Sequence, residues 1–97
     1  MNYKDLERIG MPALLELTAE ENAELSHACL KLARKLRGEN PTPNTMDDIK
    51  NNLTEEVADV VLCIQCLIDM NLITPNDINE FVKFKDERWT RRLNGTN

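Results

Sequence analysis

No stretch of this chain approaches the roughly 20 consecutive apolar residues that a membrane span requires, and no strand-like alternation of apolar and polar residues runs along it. Its start, MNYKDLERIG, places charges where a secretory signal has its apolar stretch. Positive charge is also in short supply. Twelve Lys and Arg stand against 17 Asp and Glu, a formal net charge of −5, so a nucleic-acid polyanion is repelled over most of the surface. These absences exclude membrane and general nucleic-acid partners and lead to the expectation of a cytoplasmic protein. Only three cysteines occur, and the Cys63–Cys66 pair lies in mid-helix with one other Cys and one His in the chain. A zinc site needs a second ligand pair, and a thioredoxin-like CxxC opens a helix after a strand. Cys29, Cys63 and Cys66 are therefore read as small buried hydrophobes.

What is present is helical periodicity. At 97 residues the chain is read as a single domain, residues 1–97, with a modest core that oligomerisation would extend. A first helix is expected over Tyr3–Arg8, stopped by Gly10. A second follows with Pro12 in its first turn, running to Arg37 before Gly38. GENPTPNT is a loop. A third helix starts near Thr45, with a break or kink expected at Asn51–Asn52 and a restart at Thr54, and ends at Met70 with Asn71 as C-cap. Thr74 caps the last helix, Pro75 lies in its first turn, and it runs to Leu93.

Four carboxylates interrupt this pattern. Glu21 and Glu24, in AEENAEL, lie one turn apart, as do Glu56 and Asp59 in TEEVADVV, so each pair shares a helix face. Apolar residues flank both: Leu14, Leu17, Leu25, Ala28 and Leu32 around the first, and Leu53, Val57, Val60, Ile64 and Leu67 around the second. If both stripes face one core, four negative charges converge, and they must protonate or bind cations. An oxygen-only set suits a hard divalent ion, Mg²⁺ or Mn²⁺. Glu20 extends the site towards a second metal or an activated water, whereas Glu55 is read as solvent-facing. Glu24-x-x-His27 has the spacing of di-iron carboxylate bundles, but the oxygen donors are complete without imidazole. The last helix gathers Lys83, Lys85, Arg88, Arg91 and Arg92, of which Lys85, Arg88 and Arg92 share a face. Beside an acidic metal site they read as a phosphate clamp. Trp89 reads as a packing residue, with base stacking as the alternative. Asn40, Pro41 and Thr42 lie in the loop that would approach a nucleobase or ribose.

AEENAEL, a loop, then EEVAD resembles the EExxE…ExxD signature of the MazG-like all-α nucleoside triphosphate pyrophosphohydrolases. The likeness spans Leu14 to Leu93 and includes the LRGENPTP loop and the basic VKFKDERWTRRL segment. The stretch between the acidic motifs is longer than in most of that family, and the excess falls in a loop. The resemblance implies an antiparallel bundle of long helix hairpins, completed as a homodimer or homotetramer. It implies Glu21, Glu24, Glu56 and Asp59 as Mg²⁺ ligands, with Mn²⁺ as a substitute, and Glu20 or Glu21 as the residue that activates water. Lys85, Arg88 and Arg92 would bind the phosphates of a nucleoside triphosphate, cleaved to a monophosphate and pyrophosphate. A di-iron bundle using His27 and a non-enzymatic module whose acidic patch binds a basic protein are the competing readings. The acidic balance elsewhere and the lack of a helix-turn-helix pattern argue against a DNA-reading role for ITPNDINEFVKFKDERWTRR.

Overall fold

Side-chain caps delimit most of the helices. The computed structural model describes residues 1–39 and 43–95 and, among these, contains four α-helices and no strand. They are α1 (Tyr3–Ile9), α2 (Met11–Arg37), α3 (Met46–Asp69) and α4 (Pro75–Leu93). Asn2 and Asp5 form a reciprocal capping box at α1. The Thr45 hydroxyl accepts from the Asp48 N–H at 3.1 Å to open α3. The Thr74 hydroxyl does the same for the Asp77 N–H of α4 at 3.2 Å. Gly38 ends α2 with φ 75°, and the Glu39 N–H reaches back to the Arg34 carbonyl at 2.9 Å, closing the last turn. Asn40, Pro41 and Thr42 lie outside the described residues.

Three expectations for α3 need correction. The helix is continuous through Asn51 and Asn52. The weak helix propensity of Asn, at most about 0.7 kcal/mol per residue, is outweighed by a packing stripe that runs past both through Ile49, Leu53 and Val60. Thr54 starts no new helix, since its hydroxyl donates to the Lys50 carbonyl at 3.0 Å, inside the turn. The C-cap is Met70; Asn71 follows it in the left-handed region at φ 60°, which Asn tolerates better than most residues.

The principal packing is α2 against α3, with α1 laid on α2. Leu6, Leu14, Cys66 and Leu67 form one cluster with Met70 and Ile73 against it. That cluster joins the start of α2 to the end of α3, so the two helices run antiparallel. Ala28, Ile49, Val60 and Cys63 complete the buried set, which contains no charged side chain. Val57 and Ile64, expected to face this core, are exposed, as is Cys29. The expected apolar stripe on α3 is wider than one partner helix covers. Helix α4 buries no residue and makes no comparable contact with another helix. The Cα radius of gyration is 17.1 Å, against about 13 Å for a compact chain of 100 residues. No helix among the described residues is long and apolar enough to cross a membrane.

Candidate metal centre

The α2–α3 seam repeats at seven-residue intervals, and its middle repeat is acidic on both helices. On α2, Glu21 stands seven residues from both Leu14 and Ala28; on α3, Glu56 stands seven from both Ile49 and Cys63. All four flanking residues are buried. The two glutamates thus occupy inward positions where the pattern asks for apolar side chains, and both are half-buried. Glu24 and Asp59, three residues further along their helices, stand on the same side at its exposed rim. Antiparallel packing closes the set: one oxygen from each of the four carboxylates lies within 4.8 Å of the other three.

The electrostatics follow from that placement. Burial, then the charges of Glu24, Asp59 and Glu56, holds the Glu21 carboxyl above its ordinary value of 4.5. Burial, then Glu24, Asp59 and Glu55, does the same to Glu56. One oxygen of Glu21 and one of Glu56 are closed off from solvent and have no hydrogen-bond partner, an unfavourable condition for an acceptor unless a cation or proton meets it. The donor set fits a hard divalent ion. All four donors are oxygens, which favours Mg²⁺ or Mn²⁺ over softer metals.

Below the cluster lies a feature that sequence reasoning treated only as packing. Burial pushes the Cys63 thiol up, and the charges of Glu21 and Asp59 push in the same direction, while a hydrogen bond with Thr18 pulls against them. Cys63 is seven residues from Glu56, and that interval was the available signal. It forms the apolar floor that desolvates the inner carboxylates.

The remaining candidates are placed differently. Glu20 and Glu55 are exposed, as is His27, and none belongs to the group of four. Lys85 and Arg92 are exposed on α4, whereas Arg88 is half-buried with its guanidinium 5.7 Å from the Phe84 ring centre. The Nε of Arg88 is shielded from solvent and has no hydrogen-bond partner. Among the described residues, no ion pair joins Lys85, Arg88 or Arg92 to the four acids. Trp89 is 65% exposed, so the packing expected of it is not made within this chain. The structure therefore assembles the acids and leaves the cations on a separate helix. No protein-family model, curated protein or solved structure matches the chain.

Proposed function

We propose that this chain is a MazG-like nucleoside triphosphate pyrophosphohydrolase, a hydrolase that cleaves a nucleoside triphosphate between its α and β phosphates. The observation that carries the reading is the convergence of Glu21, Glu24, Glu56 and Asp59, with two buried oxygens that lack partners. These four residues would hold Mg²⁺, or Mn²⁺ in its place. When bound, the ion supplies charge neutralisation at phosphate oxygens and lowers the pKa of a bound water.

The rest of the chemistry falls to the chain. Glu20, at the rim, would orient the attacking water and take its proton, with Glu21 as the alternative base. Attack in line at the α-phosphorus breaks the bond to the bridging oxygen, and pyrophosphate leaves. Lys85, Arg88 and Arg92 would hold the phosphoryl oxygens and the departing pyrophosphate, Arg88 and Arg92 by forked hydrogen bonding. Positioning and fixed charge then supply most of the rate enhancement. A homodimer or homotetramer completes the bundle in this reading.

The test is pyrophosphate release from a panel of ribo- and deoxyribonucleoside triphosphates with Mg²⁺ and with Mn²⁺. Glu56→Gln and Asp59→Asn should each lower turnover by more than about 100-fold, since loss of partners that only support ligands already costs 10–100-fold, while circular dichroism stays helical. Wild-type turnover in either variant would defeat the proposal.

A further inference from the structure

Two layers bound the carboxylate cluster along the hairpin, and they differ in kind. Leu14 shares a cluster with Cys66 and Leu67, and α2 and α3 run antiparallel, so each step up α2 is a step back along α3. Thr18 therefore stands level with Cys63, one turn below Glu21 and Asp59. Ala28 stands level with Leu53, one turn beyond Glu24 and Glu56. The Ala28–Leu53 layer is apolar. The Thr18–Cys63 layer holds a hydroxyl and a thiol, two groups able to donate to a carboxylate.

Neither donates to the cluster. Thr18 is half-buried, and its hydroxyl gives its one proton to the Leu14 carbonyl at 2.8 Å. Cys63 is 5% exposed and hydrogen-bonded to Thr18; with that hydroxyl proton already placed, the thiol is the donor. Both protons are thus spent below the cluster. In the layer above, the Oε2 atom of Glu21 is shielded from solvent and has no partner, although buried side-chain oxygens ordinarily find a donor. A chain of polar groups that stops one group short of a buried acceptor leaves that acceptor to something from outside.

We propose that Thr18 and Cys63 are positioning residues: by turning their hydrogen bonds away towards Leu14, they keep the inner oxygen of Glu21 free for the cation. The inference rests on the metal centre of the hydrolase reading and on no step of the hydrolysis. It separates two quantities that packing joins. A donor admitted to this floor steadies the metal-free cluster and opposes the ion, whereas a floor that acts by shape alone moves stability and affinity together.

The experiment measures Mn²⁺ binding to the full-length chain through loss of the free-ion electron paramagnetic resonance signal, with metal-free thermal unfolding alongside. In the double variant Thr18→Val, Cys63→Ser, the new hydroxyl has lost Thr18 and turns to Glu21. Its Mn²⁺ Kd should rise about tenfold, the low end of what a hydrogen bond to a charged group is worth. Its metal-free midpoint should stay at or above that of Thr18→Val alone, where a buried hydroxyl without a partner would lower it. Thr18→Val alone frees the thiol, a weaker donor, and should raise the Kd about threefold; it answers the same question if the double variant does not fold. Cys63→Ala adds no donor, so the midpoint should fall through the cavity left behind with the Kd unchanged. Wild-type affinity in both Thr18 variants, or an equal loss of affinity in Cys63→Ala, overturns the proposal. Failure of the wild-type chain to bind Mn²⁺ overturns it together with the metal centre. The expected shifts in a chain that releases no pyrophosphate uphold it and remove only the hydrolase reading.

Discussion

The α2–α3 hairpin and α4 are opposites. The hairpin encloses Leu14, Ala28, Ile49, Val60 and Cys63 and sets four carboxylates against one another at its middle. Helix α4 is capped as well as α3 is, by a threonine hydroxyl in each case, yet buries nothing and carries three cations in its apolar arc. Local capping therefore defines both regions, but only one has tertiary packing, and its packing contains a charge conflict. Helices in proteins draw most of their stability from packing an amphipathic face, which α4 does not do within this chain, while half-buried acids without counter-charge oppose the fold that holds them. Each region lacks what the other carries.

The largest effect should come from removing the conflict. In the double variant Glu21→Leu, Glu56→Leu, apolar side chains restore the seven-residue seam. We expect thermal unfolding of the metal-free hairpin to move to higher temperature, because replacing charge at inward-facing, half-buried positions with well-packed apolar groups is commonly stabilising. Mg²⁺ should no longer raise the midpoint, and turnover should be lost. A variant less stable than the wild type would mean that the two glutamates stabilise the seam and that the proposed conflict is absent.

Next in size is the coupling of metal to pH. Glu21 and Glu56 are both held above 4.5 in the folded chain, so the folded state binds protons that the unfolded state has released. The contribution of these two groups to metal-free stability therefore rises as pH falls from above the raised folded values towards 4.5, and is constant below it. This is the reverse of an ion-paired carboxylate. Metal binding needs the ionised forms. At Mg²⁺ about 100 times its Kd, mass action adds about 2.7 kcal/mol, a shift on the order of 10 °C for a domain of this size. That shift should be largest at neutral pH and shrink across the same window. A shift independent of pH between 4.5 and 7 would show that Mg²⁺ binds elsewhere.

Helix boundaries were legible in the sequence because local chemistry sets them: Thr45 and Thr74 at the starts, Gly38 at an end, Pro12 and Pro75 in first turns. The meeting of the two acidic pairs was legible as well, since three-residue spacing and flanking leucines fix their face. What the sequence hid is how wide the apolar face of α3 is. Val57 and Ile64 match the stripe as well as Val60 and Leu67 do, and only the position of α2 decides which pair is covered. The expected break at Asn51–Asn52 failed for a related reason, since propensity acts residue by residue while the seam acts along the whole helix. The position of α4 was the least legible, because nothing in its own residues distinguishes a face awaiting its own chain from one awaiting another.

Equivalent caps on the two regions give the finest test of their difference. Thr45→Ala and Thr74→Ala each delete a hydroxyl that accepts from a backbone N–H three residues on, a loss of about 1 kcal/mol in either helix. On α3, which is packed, that loss should lower the unfolding midpoint by about 4–8 °C whatever the protein concentration. On α4 it should depend on assembly. In dilute protein, where α4 is undocked, Thr74→Ala should leave the hairpin's midpoint unchanged and only speed amide exchange along α4. At concentrations where chains associate, the same substitution should lower the midpoint as Thr45→Ala does. If Thr74→Ala lowers it equally in dilute and concentrated protein, α4 is already coupled to the hairpin of its own chain.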